Sequence, residues 1–97
     1  MRRLVVVVKP FKADAVARAL LDAGACAVHL QEARGYGRQK GHLDLYRDDP
    51  ERVSFLPKVR LECAVDDATL ERAIEAVVAA ARTGRIGDGK IFVEALA

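Results

Sequence analysis

The stretch Arg3-Leu4-Val5-Val6-Val7-Val8, near the start of the chain, decides the fold class. Five consecutive apolar residues follow the arginine, and four of them are β-branched valines. Such a run is typical of a β-strand that is covered on both faces, because a half-exposed strand alternates apolar and polar residues. The run therefore predicts a sheet with one covering layer on each side.

Two segments have helical periodicity and would supply the first of these layers. The first follows Lys9-Pro10 and should end at Gly24, because glycine is common just after a helix C-terminus. Its apolar positions share one helical face: Val16, Ala19, Leu20 and Ala23. The second follows Asp66-Asp67, which we expect to supply its N-cap. Its apolar stripe is the strongest periodic signal in the chain: Leu70, Ala73, Ile74, Val77, Val78 and Ala81.

Three further segments predict β-strands, and a long loop separates two of them. The strand-like segments are Ala25 to Tyr36, Val59 to Val65 and Lys90 to Leu96. The interval Gly37 to Leu56 has no sustained period of either kind, and loops of that length inside compact domains are usually functional or disordered.

The predicted order of elements is βαββαβ, which is typical of a ferredoxin-like α+β domain with a four-stranded antiparallel sheet. We expect one such domain over residues 1–97. Two helices can cover only one face of this sheet. We therefore expect partner subunits to cover the other face, which would also help so short a chain to bury enough surface.

The composition disfavours several classes of protein. A formal net charge of +2 is too small for bulk electrostatic binding of nucleic acid, and Val59 to Val65 has no aromatic residue to stack on RNA bases. No apolar run reaches the length of a membrane span, and Met1-Arg2-Arg3 does not begin an export signal. Cys26 and Cys63 form no disulfide pattern, so the compartment that we expect is the cytoplasm.

Catalytic groups are also poorly supplied. The chain has no asparagine, and its side-chain hydroxyls are limited to Ser54, Thr69, Thr83 and two tyrosines. Neither a Ser/His or Cys/His nucleophile nor an acylphosphatase-like enzyme is favoured by this composition. We therefore expect a protein that is not an enzyme.

The segment Thr83 to Lys90 is rich in glycine and suits an anion. It has the Gly-x4-Gly-Lys spacing of a P-loop, but Ile91 stands where Ser or Thr would hold Mg²⁺, and a helix precedes it instead of a strand. A P-loop is therefore rejected. Glycine still allows backbone N–H groups to approach a phosphate, although the segment taken alone is more often an ordinary turn.

Three other features invite a functional interpretation. The segment Gly35 to His42 lacks the spacing of a dinucleotide-binding fingerprint, so it predicts a basic loop. His42 and His29 have no Cys/His cluster around them, which disfavours a structural metal site. Lys58, directly after the long loop, could meet a carboxylate ligand or could be an ordinary surface lysine at a strand end.

Together, these segments resemble the PII signal-transduction family. The matching stretches occur in order along the chain: Lys9-Pro10-Phe11-Lys12, Gly35 to His42, Leu45-Tyr46-Arg47, Phe55 to Val59 and Thr83 to Phe92. The resemblance implies a homotrimer of ferredoxin-like subunits, with a nucleotide site in each cleft between neighbours. It also implies a T-loop at about residues 37–55, which docks onto target proteins, and a B-loop at about residues 82–90, which wraps the phosphates of ATP or ADP.

The resemblance implies two adjoining sets of binding residues. For the nucleotide these are Gly35, Gly37, Arg38, Thr83, Gly84, Arg85, Gly87, Asp88, Gly89 and Lys90. For 2-oxoglutarate, the effector, they are Gln39, Lys40, Gly41 and Lys58. Gln39 would also hold a Mg²⁺ ion that bridges ATP and the acid, and Lys58 would pair with a carboxylate. A divalent cation fits this role, because a triphosphate and a dicarboxylate otherwise repel each other.

The chain departs from the family pattern in two places. Glu51 stands where many members carry a tyrosine that is uridylylated, so we expect no such modification here. The sequence also ends at Ala97, ahead of the basic segment whose arginines contact nucleotide phosphates in such proteins. The preference among ATP, ADP and AMP therefore stays open.

Two functions within the family remain possible. Gln39 and Lys58 favour a sensor of 2-oxoglutarate that regulates nitrogen and carbon metabolism through its T-loop. The alternative is a divergent paralogue that senses adenine nucleotides, with bicarbonate or another small anion, and acts outside nitrogen control. An ammonium transporter, a metabolic enzyme such as an adenylyltransferase, and a membrane carrier are all compatible targets.

Overall fold

The computed structural model of this chain describes residues 1–35, 56–85 and 87–96. Its strands are β1 (Arg2–Val8), β2 (His29–Gly35), β3 (Leu56–Val65) and β4 (Gly89–Ala95). Its helices are α1 (Ala13–Ala23) and α2 (Leu70–Ala81), and a short 3-10 turn, Pro10–Lys12, precedes α1. In the residues described, no helix is both long and apolar enough to cross a bilayer.

The four strands form one antiparallel sheet in the order β2-β3-β1-β4. The two helices and the antiparallel sheet predicted from the sequence are confirmed, and the arrangement is compatible with a ferredoxin-like α+β fold. Strand β1 lies between β3 and β4, so Val8 faces both Val59 and Gly89 in the register. The start of β4 is thereby fixed beside the end of β1.

The hydrophobic core lies between the helices and one face of the sheet, which we call the helix face. Alternate residues of β1, namely Leu4, Val6 and Val8, are almost completely buried there. The helices contribute Val16, Leu20, Ala23, Ala73, Val77 and Ala81 to the same core. The apolar stripes that the sequence predicts are therefore the surfaces by which both helices pack on the sheet.

The opposite face of the sheet, which we call the open face, carries a mixture of apolar and charged side chains. Arg3 makes ion pairs with Glu62 at 3.1 Å and with Glu94 at 3.2 Å. Val5 is only 6% exposed, and it lies between Glu62 and Phe92 in the register. The apolar run of β1 therefore meets the core on one side and a small apolar centre with ion pairs around it on the other.

Two predicted element ends at α1 and β2 differ from the structure. We predicted that the second strand begins at Ala25, but β2 begins at His29. The backbone N–H of Ala25 donates to the carbonyl of Leu20 at 3.0 Å, so Ala25 completes the C-terminus of α1 instead. Gly24 ends that helix as predicted, with a φ of 120° that favours glycine.

The predicted N-cap of α2 was wrong. The residue at that position is Thr69, and its side chain makes no capping hydrogen bond. Asp67 instead accepts hydrogen bonds from the amino group of Met1 at 3.3 Å and from Nε of Arg2 at 3.2 Å. These contacts hold the pKa of Asp67 below its usual range, chiefly through the bond from the chain's amino group.

The third strand begins at Leu56, earlier than the predicted start at Val59. Its first residues pair only with β2, since the pairing with β1 starts at Val59. Pro57 has no N–H to donate, and this one-sided pairing allows it to lie in the strand. The last strand, Gly89–Ala95, is displaced by one residue from the predicted Lys90 to Leu96.

Candidate functional site

The connection between α2 and β4, residues 82–88, is organised by a single carboxylate. We call it the α2–β4 loop; Ile86 within it lies outside the described residues. Oδ2 of Asp88 accepts the backbone N–H of Thr83 at 2.7 Å and that of Gly84 at 2.9 Å. Oδ1 of Asp88 accepts the hydroxyl of Thr83. These bonds, the one from the Thr83 hydroxyl above all, hold the pKa of Asp88 well below its usual range.

Two glycines allow the end of this loop to approach its surroundings closely. Gly87 has a φ of 87°, a conformation that side chains with a Cβ rarely adopt. Gly89 has a φ of 148°, and a Cβ at this position would overlap the carbonyl oxygen of Val7 on β1. The two glycines therefore permit a backbone conformation and a close approach to β1 that a residue with a Cβ would prevent.

Lys58 on β3 is the buried cation beside this loop, and 9% of the residue is exposed. Its Nζ donates to the carbonyl oxygen of Gly87 at 2.8 Å. Burial lowers the pKa of Lys58, and the positive charges of Lys9 and Lys90 lower it further, whereas Asp88 opposes them. The structure thus places this predicted effector residue, largely buried, against the loop predicted to bind phosphate.

Lys9, Lys58 and Lys90 form a basic cluster beside the loop. The sequence motifs gave Lys9 no role. It follows the last residue of β1, and its side chain is 14% exposed. Its Nζ contacts Oδ1 of Asp88 at 3.1 Å and Oγ1 of Thr83 at 3.2 Å. The only signal in the sequence was its place in Lys9-Pro10-Phe11-Lys12, immediately after a buried strand.

The remaining predicted nucleotide residues that the structure describes lie at one end of the sheet. Lys90, in β4, is exposed and lies opposite Val7. The backbone N–H of Arg85 donates to Oγ1 of Thr83 at 3.2 Å, which adds a bond within the loop. Gly35 is the last residue of β2 and pairs with Leu56. The structure therefore gathers the loop residues, Lys58 and Lys90 together, with Gly35 at the far edge of the same end.

Several predicted residues lie outside the described part of the chain. They are Gly37, Arg38, Gln39, Lys40, Gly41 and Glu51, together with the whole T-loop interval at about residues 37–55. His42 and Tyr46 lie outside it as well. The predictions made for these residues stay predictions.

A cavity of about 330 Å³ opens beside the loop, on the helix face of the sheet. Val6, Val8, Val77 and Ile91 are among its apolar lining residues, and the charged residues Arg82, Asp88 and Lys90 also border it. Six of its ten lining residues have apolar side chains, which give a phosphate or carboxylate no hydrogen-bond donor, and Asp88 would repel an anion. The basic cluster therefore offers a better place for an anion than this cavity.

The chemistry of the cluster suits an anion with several charges. Lys9, Lys58 and Lys90 bring three positive charges to a loop whose described residues contain one carboxylate, that of Asp88. Both oxygens of Asp88 are engaged by donors, which leaves it poorly placed to bind a metal. Within residues 1–35, 56–85 and 87–96, no group of three His, Cys, Asp or Glu side chains is arranged to hold a metal ion. A cation bridging two ligands would therefore need ligands from elsewhere.

Comparison with known proteins gives a consistent result. A family model described as "Nitrogen regulatory protein P-II" matches residues 1–97. A protein of that name from Rhodospirillum rubrum is 53% identical over 96 residues, covering 99% of this chain and 86% of the relative. Proteins of the same name from Azospirillum brasilense and Haemophilus influenzae are 53% and 50% identical over 93 residues, covering 96% of this chain and 83% of each relative.

Proposed function

Because this chain belongs to the nitrogen regulatory protein P-II family, we propose that it is a ligand-sensing regulator that binds ATP or ADP on the α2–β4 loop. The observation that supports this most is the glycine-containing loop that Asp88 holds in shape, with the exposed Lys90 of β4 just after it. Charged donors and free backbone N–H groups are the usual means of holding phosphate. The protein acts as a sensor and catalyses no reaction.

In this proposal the nucleotide phosphates bind to the end of the loop and the start of β4. Gly87 and Gly89 present backbone N–H groups, and Lys90 adds a charge-assisted hydrogen bond. Thr83, Gly84, Arg85 and Asp88 shape the loop around the phosphates. Gly35, with Gly37 and Arg38 outside the described residues, closes the cleft at the base of the T-loop.

The second ligand in the proposal is 2-oxoglutarate, which binds next to the phosphates. Lys58 takes one carboxylate of the acid, and it can do so by exchanging its bond to the carbonyl of Gly87. Gln39 holds the bridging Mg²⁺, with Lys40 and Gly41 beside it. ATP supplies a γ-phosphate for this bridge and ADP does not, so the two nucleotides favour different T-loop conformations.

The proposed assembly is a homotrimer in which the open face of each sheet is covered by neighbouring subunits. Val5 and Phe92 give that face an apolar centre, and Phe92 is 50% exposed in the single chain. The T-loop would dock onto a target protein such as an ammonium transporter, a metabolic enzyme or a membrane carrier. Ligands alone would control it, because Glu51 has no phenolic oxygen to be uridylylated.

Isothermal titration calorimetry tests this function directly. ATP, ADP and AMP are titrated with and without Mg²⁺ and 2-oxoglutarate, first into the parent protein and then into Lys90→Ala. We expect ATP and ADP to bind the parent and to bind Lys90→Ala roughly tenfold or more weakly, the effect of losing one charge-assisted bond. Lys12→Ala is the matched control, because Lys12 contacts the ring of Phe11 and not the loop.

The same titrations separate the two ligands. Gln39→Ala and Lys58→Ala should abolish the effect of 2-oxoglutarate on ATP binding and leave ADP binding largely intact. Equal damage to ADP binding would contradict these two roles. A parent that binds nucleotide but ignores 2-oxoglutarate would favour the divergent paralogue, and a parent that binds no nucleotide would overturn the proposed function.

A further inference from the structure

Lys9 joins the two ends of the α2–β4 loop. Its backbone position is fixed, because it follows Val8, which pairs with Gly89 at the start of β4. From there Nζ reaches Thr83 at one end of the loop and Asp88 at the other, at 3.2 and 3.1 Å. The side chains of Lys9 and Asp88 are 14% and 24% exposed, so this ion pair is shielded from water more than those on the open face.

The charge of Asp88 is the reason that the loop needs a cation. A carboxylate inside a loop that is to receive phosphate would repel it. The oxygens of Asp88 accept bonds from Thr83, Gly84 and Lys9, so its side chain holds the loop in shape and is not free to contact a ligand. In the structure Lys9 takes this role and Lys58 does not, because the hydrogen bond of Lys58 runs to the carbonyl of Gly87.

We propose that Lys9 is a positioning residue with two effects on the α2–β4 loop. It keeps the loop closed, meaning that it holds Thr83 and Asp88 together at the two ends, and it offsets the charge of Asp88 so that the loop can receive a polyphosphate. The proposal rests on the nucleotide function proposed above for its ligand, but the closure of the loop can be measured without any ligand. Lys9 acts through Thr83 and Asp88, and it does not itself contact the phosphates.

Amide hydrogen exchange on the ligand-free protein tests the closure. In Lys9→Met, the amides of Thr83 and Gly84 should exchange about tenfold faster, because a charge-assisted bond that holds their acceptor is lost. Lys9→Arg should restore most of the protection, and Lys12→Met should leave it unchanged. Protection in Lys9→Met equal to that of the parent, with β1 and α2 amides also unchanged, would overturn the proposal.

Calorimetry with ATP tests the charge balance. Lys9→Met should weaken ATP binding about tenfold, and ADP binding less, because ATP carries more charge to be repelled by Asp88. The double variant Lys9→Met/Asp88→Asn should lose less affinity than the product of the two single effects, because neither unpaired charge remains. Strictly multiplicative losses would show that the two residues act independently and would overturn the charge-offset role.

The two proposals fail in different ways. If the parent binds neither ATP nor ADP, the nucleotide function fails and the charge-offset role of Lys9 fails with it. The exchange rates of Thr83 and Gly84 still decide whether Lys9 closes the loop. If the parent binds ATP and Lys9→Met binds it equally well, the proposed function stands and the charge-offset role of Lys9 is rejected.

Discussion

The two faces of the sheet differ in how far a single chain completes them. On the helix face, Leu4 and Val6 are 0% exposed beneath both helices. On the open face, Val5 is nearly buried, but Phe92, its neighbour in the register, is half exposed. The same run of β1 residues therefore contributes to a fully buried core on one side and to a partly exposed apolar surface on the other.

The difference shows what stabilises each face. The helix face is held by close apolar packing, in which every methylene removed leaves a cavity. The open face is bordered by ion pairs such as Arg3–Glu62 and Arg3–Glu94, with side chains 33–52% exposed. Exposed pairs of this kind typically contribute only about 0–1 kcal/mol each. The trimer proposed above would bury this exposed phenylalanine and the weak ion pairs around it.

The largest effect should come from damage to the helix face. Leu61→Ala removes a side chain that is 0% exposed, and we expect it to lower the free energy of unfolding by about 2–5 kcal/mol. Leu30→Ala is the matched control, because Leu30 lies directly opposite Leu61 but is 50% exposed. Urea unfolding followed by circular dichroism measures both variants. Equal losses would show that the core does not extend as described.

A second variant tests the open face as an interface. Phe92→Asp places a charge on an exposed position, so the fold of one chain should tolerate it while the proposed trimer dissociates. Sedimentation velocity at micromolar concentration should show a smaller species with an unchanged far-ultraviolet spectrum. Leu21→Asp, on the exposed side of α1 and 48% exposed, should leave the assembly intact. A stable monomer in the parent would contradict the assembly itself.

The smallest effect expected is a pH dependence that belongs to the open face. A hydrogen bond from Arg60 is the main reason that the pKa of Glu62 lies below its usual value of 4.5. Since the unfolded chain binds this proton more readily, the stability that Glu62 contributes is present above pH 4.5 and is lost as the pH falls through the lower folded pKa.

Thermal unfolding from pH 6 to pH 2 tests the contribution of Glu62. Glu62→Gln should flatten the acid decline slightly relative to the parent. Glu71→Gln, on the exposed side of α2, is the control and should follow the parent curve. A steeper decline in Glu62→Gln would reverse the assigned sign.

Much of the fold follows from local patterns in the sequence. Alternate residues of the five-residue apolar run of β1 and the stripes of α1 and α2 predict buried surfaces that the structure places in one core. The element ends were less predictable, because tertiary contacts decide them. Asp67 is a residue type that commonly caps helices, yet it accepts a hydrogen bond from Arg2, 65 residues away in the sequence.

The candidate site shows the same limit more clearly. The sequence singled out the loop by its glycines. It singled out Lys58 by its place in a stretch that resembles the PII family. The bond from Lys58 to Gly87 spans 29 residues of sequence, and that from Lys9 to Asp88 spans 79. No periodicity or spacing encodes such contacts. They follow from the pairing of β1 with both β3 and β4, which only the three-dimensional structure shows.

That pairing also has a mechanical consequence. Val8 is held against Val59 on one side and Gly89 on the other, and a strand bonded along both edges cannot shift by one residue without exchanging its faces. A shift that preserved the faces would have to move it by two residues, about 6.6 Å. Strand β1 therefore keeps β3, which carries Lys58, and the start of β4 in a fixed register. Under the proposed function, a signal generated at this end of the molecule would travel as a change in loop shape, because the strands that carry the loop cannot slide.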